Sequence, residues 1–311
     1  MNANRLAGDV GVTAARGEAR VRRVSAYLAL TKARLALLVV FTTLAGYVLG
    51  TEGSIAWSRL AWTLVGTGLT AVAANIFNQW MEVRADGRML RTSNRPLPAG
   101  TIPPQHAFAL ASGMMSLGLA LLLLAVNPLS ALLAAVAAAV YLVAYTPLKT
   151  RTSLCTLVGA ICGAIPPMIG WTAATGRLSG GAWVLGGTLL VWQIPHFLAL
   201  GWVYRKDYAR AGFRILPVLD RSGDLTALLA ILYCLALVPT SIAASLVGLA
   251  GAGYAAVAFF LGAGMIGLAV QFHHRRTAVR ARRLFLASVA YLPLLFGAML
   301  MDRGPLGILH F

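Results

Sequence analysis

Residues 60–86 read LAWTLVGTGLTAVAANIFNQWMEVRAD. From Leu60 to Trp80 there is no Asp, Glu, Lys or Arg, and a helix needs roughly 20 predominantly apolar residues to cross the hydrocarbon of a bilayer. The run therefore predicts a transmembrane helix whose end carries Asn78, Glu82 and Asp86. Outward from it, apolar runs of similar length recur at about 35–53, 105–125, 128–147, 153–173, 182–203, 225–249, 254–272 and 284–301. The expected fold is all-α, a polytopic membrane bundle of nine transmembrane helices. Breaks at Asn127-Pro128 and Gly251-Ala252-Gly253 leave little room for an extramembrane domain. Composition agrees: of 311 residues 59% are hydrophobic and only 11% charged, too few to cover a water-soluble surface.

The net charge of +17 invites a nucleic-acid reading, which the distribution of the charge removes. With the N-terminus placed in the cytoplasm, every Lys and Arg except Arg59, Arg177 and Arg303 falls in the N-terminal tail or in a cytoplasmic connection. That bias is the positive-inside rule; it predicts a cytoplasmic N-terminus and a C-terminus on the opposite side. Anionic membrane lipid is then the expected surface partner, and no nucleic acid is needed. Residues 1–27, Arg-rich but without a hydrophobic core, read as a disordered cytoplasmic tail and not a signal peptide. Residues 28–302 form the membrane domain and 303–311 a short C-terminal tail. Cys155, Cys162 and Cys234 fall within apolar runs with no Cys-x-x-Cys spacing and read as buried small side chains.

Only nine Asp and Glu occur in the chain, and those set against membrane helices carry the chemistry. Asn78, Glu82 and Asp86 stand at i, i+4 and i+8, one helical face with steps of about 6 Å. Such a row of oxygen donors suits Mg²⁺, which uses few protein carboxylates and completes its shell with water and phosphate. Arg91 and Arg95 follow at once, and a metal flanked by arginines is what a diphosphate requires. Glu82 with Arg84, or Asp86 with Arg91, as a plain salt-bridged helix end is the alternative. A second acid, Asp207, lies in Tyr204-Arg205-Lys206-Asp207-Tyr208, either in a local ion pair or opposite the first row as a further metal ligand. Between them, Tyr145-Thr146-Pro147-Leu148-Lys149-Thr150-Arg151 offers Lys149 and Tyr145 to a diphosphate or an allylic cation; interfacial anchoring is the plainer role. His196, deep in an apolar run with Trp192 one turn earlier, is either a satisfied core histidine or a haem contact.

These motifs resemble the UbiA superfamily of intramembrane prenyltransferases. The general signal is Asn78…Glu82…Asp86 with a second acidic loop. The runs Trp192-Gln193…Pro195-His196-Phe197 and Tyr204…Asp207-Tyr208…Ala211-Gly212…Leu216-Pro217-Val218 are similar to its protohaem IX farnesyltransferase (haem O synthase) branch. The resemblance spans about residues 28–302. It departs from the family pattern at Ala33 (for Pro), Thr150 (for a basic residue), Cys155 (for Asn) and Arg84 (for Asp).

The resemblance implies farnesyl diphosphate and haem B as substrates and one or two Mg²⁺ ions held by Asn78, Glu82, Asp86 and Asp207. Arg91, Arg95, Tyr145, Lys149, Arg151 and Tyr204 would serve the diphosphate, Lys149 also the departing charge, and His196 and Trp192 the haem. It also implies a bacterial inner-membrane enzyme with a cytoplasmic-side site, working alongside haem A synthase or oxidase assembly proteins. The same fold acting on an aromatic acceptor is the nearest alternative. A transporter would place acids near mid-span, and a haem-binding assembly factor would need no Mg²⁺.

Overall fold

The computed structural model describes residues 24–303. The nine expected spans are nine long helices among the described residues: α1 (Ala33–Gly50), α2 (Trp57–Met81), α3 (Pro104–Ala125), α4 (Pro128–Leu148), α5 (Cys155–Thr175), α6 (Gly180–Val203), α7 (Asp224–Leu246), α8 (Ala252–His274) and α9 (Ala278–Met301). Local chemistry sets several of the ends. Pro104 and Pro128 open α3 and α4, where a missing N–H costs nothing. The Asn127 side chain caps α4 by accepting from Ser130 N at 2.8 Å. Gly176, at φ 74, turns the chain out of α5. α9 begins six residues before the expected start, because Thr277 accepts from Arg280 N and draws the arginine-rich segment into its first turns.

Two further differences lie at the margins. The tail expected over 1–27 falls outside the described residues up to 23, but residues 24–31 are helical, with Ala26 and Leu30 packed on Ile76, Leu97 and Ala107. Residues 304–311 also lie outside the described part. The three cysteines are free, with Cys155 and Cys234 buried.

α5 and α6 are the most enclosed of the spans and form the centre of the bundle. α1 packs on α5, α2 on α3, and α7 on α8, while α9 closes against α6 and α8. Small residues let α5 approach its neighbours, as expected where packing and not water drives helix association. At Gly170 an added methyl would overlap the Thr43 carbonyl and the Tyr47 amide of α1; at Gly46 it would meet the Pro167 carbonyl.

The two ends of the bundle differ in what ties them. At one end Asp302 accepts from Tyr254 N at 2.6 Å, its carbonyl takes Gly251 N, and Arg303 donates to the Thr51 carbonyl. At the other, Lys32 reaches Asn78, Arg214 N donates to the Lys149 carbonyl at 2.6 Å, and Arg276 pairs with Asp224 at 2.5 Å. The long connections gather at this second end, which also receives the N-terminal end of α1.

The backbone contact at Gly170 yields a stability prediction. Gly170→Ala should destabilise the bundle by about 1–3 kcal/mol, the usual cost of overpacking, read as a lowered thermal midpoint in detergent. Gly113→Ala, whose methyl meets open space, should leave that midpoint within error.

Candidate active site

α2 ends at Met81, and Glu82 (φ −98, ψ 12) interrupts the helix before a short segment, Val83–Arg88, resumes it. The hydrogen bonds Glu82 N to Asn78 O (3.0 Å) and Asp86 N to Glu82 O (2.8 Å) carry the i to i−4 ladder across the break. Asn78, Glu82 and Asp86 therefore keep the single row that their spacing predicted, and all three are buried.

Burial of two carboxylates at the end of an apolar bundle demands partners, and distant parts of the chain supply them. Lys149, at the end of α4, donates to Glu82 Oε1 and Oε2 at 2.8 and 3.1 Å. Arg95 Nη1 reaches Asp86 Oδ2 at 2.7 Å, while Asp86 Oδ1 is buried with no hydrogen-bond partner. Lys32, just ahead of α1, donates to Asn78 Oδ1 at 3.2 Å. Its pKa is pushed down to about 7 by burial, reinforced by the charges of Arg95 and Lys149. For Lys149 burial pulls the same way, but the Glu82 carboxylate prevails and holds its pKa above the ordinary lysine value.

Aromatic rings shape the rest. Lys149 Nζ lies 4.4 Å from the centre of the Tyr145 ring and 5.6 Å from that of Phe213, and Tyr145 stacks on Tyr141 at 5.4 Å. A cleft of about 370 Å³ opens here, lined by Glu82, Ala85, Arg88, Thr146, Thr150 and Phe213 among others.

The second acidic loop meets the first at this end of the bundle. Met89 packs with Ala211 and Phe213, flanked by Ala85 and Tyr208. The Arg91 guanidinium lies between the rings of Tyr204 and Tyr208, 4.8 and 4.7 Å from their centres. Asp207 itself pairs with Arg210 at 3.3 Å, the local ion pair that its sequence context allowed, and makes no bond to the first row. Arg151 is exposed and pairs with no acid among the described residues.

His196 and Trp192 sit apart from this cluster, against α9. Trp192 is buried and donates its indole N–H to the Ser288 carbonyl at 2.8 Å, a packing role rather than an open contact surface. His196 stacks on Trp192 and meets the Phe285 ring at a tilt, each 4.9 Å away. Its Nδ1 lies 2.8 Å from Ser288 Oγ. Ser288 spends its proton on the Phe285 carbonyl at 2.6 Å, so Nδ1 must be the donor, and Nε2 of the neutral ring keeps its lone pair.

The structure thus brings together Asn78, Glu82, Asp86, Arg95, Tyr145 and Lys149, sets Arg91 and Tyr204 in the adjoining loop contact, and leaves His196 on a separate face of α6. Sequence reasoning gave Lys32 no role in the site, counting it as positive-inside charge and as part of the Lys32-Ala33-Arg34 run that departs from the family pattern at Ala33, and it assigned none to Thr146, Tyr141, Tyr208 or Phe213. A lysine directly before the first span was the available signal for Lys32. Its φ of 48 is the single positive value at a non-glycine residue among those described.

Among the described residues no group of three or more His, Cys, Asp or Glu is close enough to form a metal cage. What the row offers is an unpartnered carboxylate oxygen on Asp86, the Glu82 carboxylate and the Asn78 amide oxygen. That set fits a hard cation that arrives with phosphate oxygens and water, and not one held by protein alone. Lys149 and Arg95 match the two carboxylates, and Lys32, held on the Asn78 amide, adds a third basic group suited to a multiply charged anion.

Known proteins share this architecture. The UbiA prenyltransferase family matches residues 39–296. The protoheme IX farnesyltransferase of Solibacter usitatus (strain Ellin6076) is 42% identical over 286 residues, covering 89% of this chain and 98% of that protein. A solved digeranylgeranylglyceryl phosphate synthase superposes with a TM-score of 0.76 at 14% identity, over 90% of this chain and 98% of its own. A UbiA homologue from Archaeoglobus fulgidus, bound to DMAPP and Mg²⁺, gives 0.64 at 14% identity, over 88% and 98%; at such identities the likeness is one of fold. With the family matched across most of its length and a close relative covering nearly the same span, this chain belongs to the UbiA prenyltransferase family.

Proposed function

We propose that this chain transfers the farnesyl group of farnesyl diphosphate to a vinyl group of haem B, giving haem O. The observation that carries the reaction class is the cluster in which Lys32, Lys149 and Arg95 converge on the Asn78–Glu82–Asp86 row. The acceptor follows from the 42% identity to a protoheme IX farnesyltransferase.

The cluster accounts for how a diphosphate is bound and released. Asn78, Glu82 and Asp86, with Asp207 from the facing loop, would hold one or two Mg²⁺ ions, which supply charge neutralisation to the leaving group when bound. With that cation on Glu82 and Asp86, Lys149 and Arg95 would be free to take phosphate oxygens, so no buried charge would be left single. Arg91, steadied between Tyr204 and Tyr208, and Arg151 and Tyr204 at the rim serve the outer phosphate. The farnesyl C1–O bond breaks with its electron pair going to the diphosphate. Preorganised cations stabilise that developing charge in a low-dielectric site, and the Tyr145 ring face tempers the allylic cation left behind. The vinyl π electrons of haem then form the new C–C bond, and water adds to the resulting cation with loss of a proton, leaving a hydroxyethylfarnesyl group.

His196, with Nε2 free and Nδ1 fixed by Ser288, is suited to contact haem iron, and Trp192 backs its ring. The basic connections at the site end point to a cytoplasmic face of a bacterial inner membrane, where haem A synthase or oxidase assembly proteins would receive the product.

Purified protein given labelled farnesyl diphosphate with either haem B or 4-hydroxybenzoate tests the acceptor. Label should move to haem, and label found only on the benzoate would overturn the assignment. Asp86→Asn should lower turnover about 10²–10³-fold, the cost of losing one electrostatic contact to the transition state, with the thermal midpoint little changed; full turnover would remove the proposed role of the row. Chelation with EDTA should abolish transfer, and added Mg²⁺ should restore it.

A further inference from the structure

α4 is not α-helical throughout. Val140–Tyr145 form a π-turn, in which the Thr146 backbone N–H bonds the Tyr141 carbonyl five residues back. Pro147 follows, and the wider turn relieves the clash its ring would make with the preceding turn. The consequence falls on one hydroxyl. Thr146 is buried, and its Oγ1 donates to that same Tyr141 carbonyl at 2.8 Å. A carbonyl can only accept, so the hydroxyl proton is committed there, and towards Asn78 the oxygen has only lone pairs to offer.

Asn78 meets this oxygen with Nδ2 at 3.1 Å. On its other side Lys32, which in its protonated form can only donate, faces Asn78 Oδ1 at 3.2 Å. Both neighbours therefore demand the same orientation of the amide. A flipped Asn78 would set its oxygen against the Thr146 oxygen whatever the state of Lys32, and its NH₂ against an ammonium whenever Lys32 is protonated. Sequence places these three residues far apart, and only the fold makes them one relay.

We infer that Thr146 is a positioning residue, whose hydroxyl, polarised by the π-turn carbonyl of Tyr141, locks the Asn78 amide so that Oδ1 faces the cation and diphosphate. The inference rests on the cation role proposed for Asn78 and extends it to a group that acts through the Asn78 amide. Side chains that orient a ligating group typically alter metal affinity 10–100-fold when removed.

The test uses the whole protein in detergent. Thermal stabilisation by Mg²⁺ with inorganic pyrophosphate is titrated in wild type, Thr146→Val and Thr146→Ser, alongside the Mg²⁺ dependence of prenyl transfer. Thr146→Val, which keeps the shape and loses the hydroxyl, should need 10–100-fold more Mg²⁺ in both assays, with the rate at saturating Mg²⁺ reduced only a few-fold. Thr146→Ser should behave like wild type. In an Asn78→Ala background the Val substitution should add nothing to the Mg²⁺ requirement for stabilisation, since its effect passes through the amide. A Thr146→Val protein with the wild-type Mg²⁺ requirement overturns the inference while leaving the reaction intact, as does one that loses thermal stability alone. If Thr146→Val does not fold, a Thr146→Ser protein needing 10-fold more Mg²⁺ than wild type overturns it. A wild-type protein showing no stabilisation by Mg²⁺ and pyrophosphate overturns the cation role and this inference together.

Discussion

The constraint on which the site depends is the cost of holding carboxylates in an apolar bundle. Glu82 and Asp86 are almost without solvent, and an isolated charge there would be heavily penalised. Lys149 comes from the end of α4 and Arg95 from the connection between α2 and α3, so satisfying the two acids ties separate segments into one structure. The backbone bond from Arg214 N to the Lys149 carbonyl adds the connection after α6. The charges proposed to act on the diphosphate and the joining of the loops are thereby the same set of contacts. A substitution that removes the acceptor leaves a basic partner unpaired, whereas Asn at position 86 keeps an oxygen for Arg95, which is why it is the informative replacement for Asp86.

Those pairs also explain why the site faces one end of the bundle and not its middle. Membrane helices tolerate irregular backbone only where it is enclosed by protein or lines a cavity. Here the break at Glu82, the π-turn at Val140–Tyr145 and the left-handed Lys32 all fall at one level. Each carries or adjoins a polar side chain of the cluster, Glu82 and Lys32 themselves and Thr146 after the π-turn. The lower half of the bundle, by contrast, is held by close backbone approach, as at Gly46 and Gly170 against α5 and α1, with few charges to place.

Most of the fold was legible in sequence because hydropathy reports solvent directly: every apolar run became a helix, with ends displaced by a few residues where a cap or a turn intervened. The row Asn78–Glu82–Asp86 was legible because helical spacing is local, and it survived even the break at Glu82. Its partners were less so. Arg95 stood close enough in sequence to be chosen, but Lys32 lies 46 residues from Asn78, and a lysine flanking a membrane span has a sufficient explanation in topology. The π-turn left no periodic signature, since one extra residue in a wholly apolar helix changes no polar spacing. Trp192 was read by its neighbours in sequence, whereas its indole is spent on Ser288 of α9, a contact set by tertiary packing.

Asn78 and His196 share a physical problem that charge alone cannot solve. An amide and an imidazole each present a donor and an acceptor of nearly equal shape, so burial does not determine which one faces a ligand. In both cases a hydroxyl settles the matter by committing its proton to a backbone carbonyl: Thr146 to Tyr141 beside the π-turn, and Ser288 to Phe285 within α9. The hydroxyl is then an acceptor only, so Asn78 must present Oδ1 and His196 must present the lone pair of Nε2 to whatever lies on the far side. The direction of each of these atoms is thus set by a backbone carbonyl acting through one intervening hydroxyl. Such orientation is held before any ligand binds, so binding need not supply the energy to turn either group, which is the sense in which the helix irregularity at Tyr141 contributes to the site.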